Sequence, residues 1–245
     1  MTRQASLDPL PRQFFDLGAP DAARRLLGGL LVRLLPEGMA IGRIVETEAY
    51  VGPTDPASHT YELRRTRRTE VQYGPPGYAY VYSLHGHSCL CIVTAPPGKP
   101  EVVLIRALEP LAGIDAMARR RGLEPVDSGD LRKERLLTSG PGRLCHALAI
   151  STTDNGADLC SPGSLWVARG ATGAGARGGS DNQEKGPWLL PGEYVAVGPR
   201  VNIDYAGDAR DWPWRFSISG NPCVSASGSR SWRKEDLPGA PLSRS

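Results

Sequence analysis

Two carboxylates lie two positions apart within a mostly β-branched stretch, Ile44-Val45-Glu46-Thr47-Glu48-Ala49-Tyr50. Side chains alternate along a strand, so Glu46, Glu48 and Tyr50 share one face. Neighbours on that face lie about 7 Å apart along the chain, a spacing that would let one carboxylate act as acid and the other as base. The pair also fits one catalytic glutamate beside a second that orients an arginine, or a half-exposed strand whose carboxylates are solvated.

Arginines accompany this stretch. Four of them fall between residues 64 and 68, and Arg106 ends the apolar run Val102-Val103-Leu104-Ile105. An arginine that continues a buried strand needs an anion, either a glutamate or a phosphate, unless its guanidinium reaches solvent at the strand end. Only four of the 29 basic residues are lysines. A general preference for arginine explains that composition equally well, but the clustering favours anion binding, because guanidinium groups bind phosphate in bidentate fashion.

Aromatic side chains complete the candidate site. Tyr78, Tyr80 and Tyr82 share one face of a strand-like run, where flat rings can stack on bases or simply pack across strands. The following segment, His85-Gly86-His87-Ser88-Cys89-Leu90-Cys91, contains zinc-binding residue types, but its spacing differs from that of structural zinc sites. A hairpin tip followed by two small apolar thiols is the simpler interpretation. Carboxylates, arginines and flat rings this close together indicate an acid/base site beside an anionic, planar ligand such as a nucleic-acid base.

Size and composition restrict the class of protein. With 245 residues, 40% of them hydrophobic, a mean hydropathy of −0.30 and no long apolar run, the chain predicts a folded core and no membrane span. The polar first ten residues contain no secretory signal, and five cysteines without a framework spacing predict reduced thiols. We therefore expect a cytoplasmic protein.

The pattern of helices and strands predicts one mixed α+β domain. Residues 51–77 are expected to form a loop, and the Gly-rich residues 170–192 a mobile surface insertion. The predicted helices are 20–27, 111–121, 131–137 and 143–150, and the predicted strands are 30–34, 40–50, 78–84, 88–94, 102–108, 195–203 and 214–219.

The turn Ser139-Gly140-Pro141-Gly142, between two predicted helices, could bind phosphate on backbone N–H groups. Serine followed by proline is also an ordinary helix start.

Together these residues resemble the alkyladenine (3-methyladenine) DNA glycosylase family. The matching segments, in family order, are Gly42–Tyr50, Leu104–Leu111, Ser139–Pro141 with Leu144 and Cys145, Ala147–Ile150, and Gly220–Pro222. The resemblance implies a single compact α+β domain, residues 12–224, with a curved antiparallel sheet flanked by helices, between flexible ends 1–11 and 225–245. It implies a monomeric, monofunctional enzyme of base excision repair that acts on double-stranded DNA containing damaged purines and uses no metal or redox cofactor. It also implies a bacterial-type protein associated with the nucleoid.

The resemblance also implies roles for individual residues. Glu48 matches the general base that activates a water against C1′, and Arg106 and the backbone carbonyl of Val201 match the groups that help to hold this water. Tyr50 and His59 match one wall of the base pocket, and Tyr82 matches the other. Contacts to the DNA backbone are expected from Arg64, Arg65, Arg67, Ser139, Gly140 and Arg143.

Two positions depart from the family pattern. His85 stands where the family has a tyrosine that intercalates into the DNA, and a smaller polar wedge should fill the gap left by a flipped base less firmly. Ile92 stands where the family often has an asparagine at the pocket floor that rejects guanine, so the substrate range could be wider or the binding weaker. These departures motivate an alternative, a nucleic-acid binder without turnover. A glycosidase for free nucleosides or sugars is a third hypothesis, but it gives the arginines no role.

Overall fold

The computed structural model describes residues 7–126, 130–171 and 187–225. Its four α-helices are α1 (Ala19–Leu26), α2 (Ile114–Arg121), α3 (Leu131–Thr138) and α4 (Pro141–Ala147). Its eight strands are β1 (Leu30–Leu35), β2 (Gly38–Tyr50), β3 (Ala79–Leu84), β4 (His87–Thr94), β5 (Glu101–Ala112), β6 (Leu165–Ala168), β7 (Val195–Gly198) and β8 (Arg215–Ile218). Short 3-10 segments include Gly52–Thr54, Tyr61–Leu63, Glu70–Tyr73 and Asp204–Asp211.

The strands form one antiparallel sheet built around β2. The order is β3-β4-β5-β2-β1-β6, and β8 pairs with both β2 and β7. β5 follows one edge of β2, while β1 takes the other edge up to Arg43 and β8 replaces it at Glu46–Glu48. The sheet therefore curls at this exchange, and the predicted α+β domain with a curved antiparallel sheet is confirmed.

An irregularity in β2 separates its core residues from its polar ones. The register against β5 shifts between Ile44 and Glu46. Ile44 and Val45 are consecutive, yet both pack in the main core, because a bulge places two residues opposite one. The register shifts again between Glu46 and Thr47 and is regular from there to Tyr50. Ala49 therefore continues into the core, and Glu48 faces the opposite side of the sheet.

The sheet has two different faces. One face packs on the helices through the main core, which includes Ile105 on β5 and Leu144 on α4. The other face carries a smaller cluster formed by Tyr80, Cys91 and Leu104, with Tyr50 and Tyr82 packed against it. The predicted tyrosine run therefore lies opposite the helices, on the side to which Glu48 points.

Several predicted boundaries require correction. β5 continues to Ala112, and Gly113, with φ 73°, ends the strand and precedes α2, so residues 111–112 are not helical as predicted. The last helix begins at Pro141 rather than at residue 143 and ends at Ala147. β7 ends at Gly198, before a proline that cannot donate to a ladder, so the predicted strand to residue 203 is wrong. The sequence analysis missed β6, which pairs with β1.

Two residues from segments that were expected to be flexible or mobile are buried in the structure. Leu10 is buried and donates its N–H to the carbonyl of Val167. Trp188, within the predicted insertion, is buried and stacks on Phe14. The rest of the predicted mobile insertion from 172 to 186, and the predicted flexible ends 1–6 and 226–245, lie outside the described residues. No helix among those described is long and apolar enough to cross a membrane.

Candidate active site

Glu48 is completely buried and is held by two hydrogen bonds and one ion pair. Its Oε1 accepts the backbone N–H of Val201 at 2.7 Å and lies 3.2 Å from Nη1 of Arg106. Its Oε2 accepts the hydroxyl proton of Tyr50 at 2.8 Å. All three groups complement an ionised carboxylate, which offers about four lone-pair positions and donates nothing. One position thus stays available for a water molecule.

Arg106 joins the two glutamates. Its Nε lies 3.1 Å from Oε1 of Glu46, which also accepts from Nη1 of Arg215 at 3.2 Å. Ser225 donates its backbone N–H to the other Glu46 oxygen at 2.8 Å. Burial lowers the pKa of Arg106, but Glu48 and Glu46 together raise it above its ordinary value. The contacts favour the interpretation in which Glu46 orients an arginine, and the solvated-strand alternative is wrong, because both glutamates are fully buried.

Tyr50 is fixed on its ring as well as at its hydroxyl. The guanidinium of Arg200 lies 4.7 Å from the centre of the Tyr50 ring. Arg200 in turn makes a buried bidentate pair with Asp55, at 2.5 and 2.8 Å, and donates to the carbonyl of Ala49. Burial and the charge of Glu48 raise the pKa of Tyr50 well above its ordinary value. Tyr50 therefore stays protonated, and its hydroxyl donates a hydrogen bond to Glu48.

A wall of rings is formed by His59, Tyr80 and Tyr82. Tyr80 and Tyr82 stack with ring centres 5.3 Å apart, and His59 packs edge-on against Tyr82 at 4.7 Å. The sequence analysis grouped His59 with Tyr50. In the structure His59 contacts Tyr80 and Tyr82, because the loop that follows β2 brings it over β3, and its grouping with Tyr50 in one pocket wall stays a prediction.

His59 is a neutral donor in this wall. Burial and the nearby charge of Arg68 lower the pKa of His59 to about 4. Arg68 has only donors and lies 3.4 Å from Nε2 of His59, so Nε2 is the accepting nitrogen. The proton consequently sits on Nδ1, which lies 2.9 Å from the Tyr80 hydroxyl oxygen. The guanidinium of Arg68 also lies 5.1 Å from the centre of the Tyr82 ring, so a positive charge stands beside this wall although its own rings are neutral.

A cavity of about 420 Å³ lies beside these groups, within the size range of small-ligand pockets. Glu48, Tyr50, Arg106 and Val201 line it, together with the ring wall, the thiols of Cys89 and Cys91, and Gln72. Ile92 does not line it, which corrects the expectation of a pocket-floor role. Because side chains alternate along β4, Ile92 is buried in the main core on the opposite face, and Cys91 lies on the cavity side.

His85, the residue predicted to intercalate into the DNA, lies at the mouth of the cavity. His85 is exposed and lines the cavity at the two-residue turn between β3 and β4, where His85 and Gly86 have φ values of 49° and 78°. Positive φ at both turn positions matches the tight hairpin turn that histidine tolerates better than most residues. The start of α4 lies alongside, since a Cβ added to Gly142 would come within 3.0 Å of the His87 side chain, and Pro141 lines the cavity.

The expected DNA-backbone residues differ in their surroundings. Arg64, Arg65, Arg67 and Arg143 are exposed, but Arg65 pairs with Glu70 through Nε and Nη2 at 2.9 and 2.6 Å. Ser139 is buried and pairs with Ala107 of β5, and Gly140 precedes α4 with a φ of 124°, a conformation that favours glycine. Arg64 and Arg68 line a second groove of about 640 Å³, which shares His59 with the catalytic cavity.

Sequence reasoning missed several groups that the fold brings to the site. Asp55 and Arg200 are 145 positions apart, so no local pattern connects them. Gln72 lies in the predicted loop 51–77, and Tyr205 lies between the last two predicted strands. No three His, Cys, Asp or Glu side chains cluster as a metal site within the described ranges.

Comparisons with known proteins agree with this geometry. A family model described as methylpurine-DNA glycosylase matches residues 13–222. The chain is 41% identical to a protein of Oceanobacillus iheyensis, over 92% of this chain and 100% of that protein. It is 42% identical to one from Alkaliphilus oremlandii, over 88% and 98%, and 42% identical to one from Methanocella arvoryzae, over 88% and 95%. Each of these relatives is named "Putative 3-methyladenine DNA glycosylase".

Proposed function

This chain belongs to the methylpurine-DNA glycosylase family, and we propose that it is a monofunctional 3-methyladenine DNA glycosylase whose general base is Glu48. The observation that carries the proposal is the buried Glu48 carboxylate, held by two hydrogen bonds and one ion pair beside a cavity lined with rings. The glycosidic bond of a stacked nucleotide is out of reach, so the damaged purine is flipped into this cavity. Its ring would lie between Tyr50 and the wall formed by His59, Tyr80 and Tyr82.

Hydrolysis then needs one water. The water oxygen attacks C1′ of the flipped nucleotide while Glu48 accepts a proton from this water. The carboxylate also stabilises the oxocarbenium-like transition state. The N-glycosidic bond breaks, and its electron pair leaves with the base. A cationic lesion such as 3-methyladenine or 7-methylguanine departs neutral. Hypoxanthine and ethenoadenine, which are neutral, must also gain a proton, and we include them in the proposed range.

Two alternatives follow less well from the site. A binder without turnover was suggested by His85 and Ile92. Ile92 lies in the main core, away from the cavity, and Glu48 keeps hydrogen bonds from Tyr50 and Val201 that suit a charged carboxylate. A glycosidase for free nucleosides leaves exposed arginines such as Arg64 and Arg67 without a partner. The monomeric state and the cytoplasmic, nucleoid-associated location stay predictions.

The proposal is tested by single-turnover base release from duplexes that carry 3-methyladenine, hypoxanthine or ethenoadenine. Glu48→Gln should slow release at least about 100-fold, since general-base catalysis contributes about 10²- to 10⁴-fold. The exposed Glu124→Gln is the matched control and should behave as wild type. Duplex affinity should survive in both variants. Wild type that binds but releases no base would favour the binder, and release unaffected by Glu48→Gln would refute the role of Glu48.

A further inference from the structure

The side-chain amide of Gln72 is buried and makes no hydrogen bond of ordinary geometry within the described part of the chain. It lies in the 3-10 segment Glu70–Tyr73, its side chain is fully buried, and it lines the catalytic cavity. Neither its amide oxygen nor its amide nitrogen has a hydrogen-bond partner among the described residues. A buried amide without partners is destabilising, so its place beside the reacting groups calls for a ligand that completes its hydrogen bonds.

The surroundings of Gln72 leave its amide available. The Tyr80 hydroxyl lies close enough to the Gln72 side chain to interact with it electrostatically, but the two groups do not have the geometry of an ordinary hydrogen bond, and the hydroxyl already contacts Nδ1 of His59. Burial raises the pKa of Tyr80 to about 12, so this hydroxyl stays protonated. The cavity wall otherwise consists largely of rings, apolar side chains and the thiols of Cys89 and Cys91, and a thiol is only a weak donor and acceptor.

We infer that Gln72 reads the hydrogen-bonding edge of the flipped purine and selects bases that present a donor beside an acceptor. This inference rests on the proposed glycosylase function. A carboxamide offers an acceptor oxygen and a donor NH₂ side by side, the arrangement with which glutamine binds adenine through N6 and N7 in DNA. Such a residue determines specificity without taking part in bond breaking.

The chemistry of the lesions divides them into two groups. Adenine alkylated at N3 keeps its N6 amino group beside ring nitrogens, and hypoxanthine presents N1–H beside O6. Ethenoadenine has N1 and N6 joined in a second ring, so that edge carries no N–H. Gln72 can complete its hydrogen bonds with the first two bases but leaves part of its amide unpaired against the third. A site built to hydrogen-bond its substrate discriminates strongly against an analogue that lacks the group.

A structural role for Gln72 makes the opposite prediction for stability. If the amide held the fold together, Gln72→Met should destabilise the protein. If the amide is unpaired until a base binds, Gln72→Met should have an unchanged or higher Tm, because an apolar side chain of similar length then replaces unpaired polar atoms. The exposed Gln13 provides the matched control, Gln13→Met.

The first experiment compares single-turnover excision of hypoxanthine and ethenoadenine from otherwise identical duplexes by wild type, Gln72→Met and Gln13→Met. The ratio of the two rates, hypoxanthine over ethenoadenine, should fall about tenfold in Gln72→Met, the effect of one or two net hydrogen bonds. It should stay unchanged in Gln13→Met. A folded Gln72→Met protein with the wild-type ratio, or one with a lower Tm and equal losses on both lesions, would overturn the inference.

A second measurement does not depend on turnover or on the stability of a Gln72 variant. The side-chain NH₂ resonances of Gln72 are followed by NMR in Glu48→Gln protein as a hypoxanthine duplex or an ethenoadenine duplex is added. We expect a large shift with hypoxanthine and a smaller one with ethenoadenine. Equal shifts, or none, would refute edge reading. If wild type excises neither base, the proposed function fails, and the NMR result alone decides whether Gln72 recognises the base.

Discussion

At the scale of residues, the site depends on donors that converge on one carboxylate from different parts of the sheet. Tyr50 comes from β2 itself, Arg106 from β5, and the N–H of Val201 from the loop after β7. Because each is already in place around Glu48, little reorganisation is needed when charge changes during the reaction. The hydroxyl of Tyr50 connects this carboxylate to the cavity, since the same residue lines it.

Tyr50→Phe separates these two roles. The ring stays, but Glu48 loses its hydrogen bond from the hydroxyl. A hydrogen bond to a charged group contributes about 1.5–3 kcal/mol, so single-turnover base release should slow about 10- to 100-fold. Affinity for a lesion duplex should change little. Tyr194→Phe, at a residue that is 65% exposed, is the control for removal of a tyrosine hydroxyl. An equal effect of both variants, or none in Tyr50→Phe, would contradict the coupling.

His59 should make the folding stability depend on pH. Its pKa is lowered from 6.5 to about 4 by burial and by Arg68, so the unfolded chain takes up a proton first as the pH falls. Stability is complete above pH 6.5 and is lost between pH 6.5 and about 4, at up to about 1.4 kcal/mol per pH unit.

His59→Gln should remove this contribution. Between pH 7 and pH 5, wild type should lose about 2 kcal/mol more of its unfolding free energy than the variant, as measured by urea titration at each pH. Comparison with a variant cancels the carboxylates, which titrate in both proteins. The exposed His146→Gln should follow wild type. Parallel curves for wild type and His59→Gln would show that His59 is protonated as readily in the folded state as in the unfolded one.

At the scale of elements, local patterns predicted what a single strand determines. The alternation around Glu48 placed Glu46, Glu48 and Tyr50 on one face correctly, although the bulge before Glu46 carries no local sequence signal. Ile92 was assigned to the wrong face, because its role came from a matching position rather than from the alternation of β4. The Asp55–Arg200 pair could not be predicted, since it joins the loop after β2 to the loop after β7 and depends on the tertiary fold.

This pair holds two loops at the site, and its loss should be costly. Asp55→Ala leaves the fully buried Arg200 guanidinium without its carboxylate, which should lower the unfolding free energy by about 3–5 kcal/mol. Asp211→Ala removes the exposed pair with Arg210 and should change it by less than about 0.5 kcal/mol. Chemical denaturation of both variants measures the difference. Similar small losses would mean that the buried pair contributes no more than a surface pair does.

At the scale of the whole molecule, one face of the sheet forms the main hydrophobic core and the other face carries the candidate site. The helix-covered face forms the main core, and the opposite face carries the cavity, the hairpin turn with His85 and the exposed arginines of residues 64–67. The sequence predicted this division only in part. Composition and periodicity indicated one α+β domain, but the curl that brings the β2, β5 and β7 ends together results from the strand exchange along β2 and is visible only in three dimensions.

Binding to duplex DNA should reveal which arginines contact phosphates. Each phosphate contact contributes about one unit to the slope of log affinity against log salt, so Arg67→Ala should reduce that slope by about one. Arg65→Ala should reduce it by less, because a phosphate must first displace Glu70 from Arg65. Arg119→Ala is the control, because α2 packs on the main core, on the face of the sheet opposite the cavity. The salt dependence of this variant should equal that of wild type. Titrations of one lesion duplex at several salt concentrations measure all three, and an unchanged slope for Arg67→Ala would place the DNA path elsewhere.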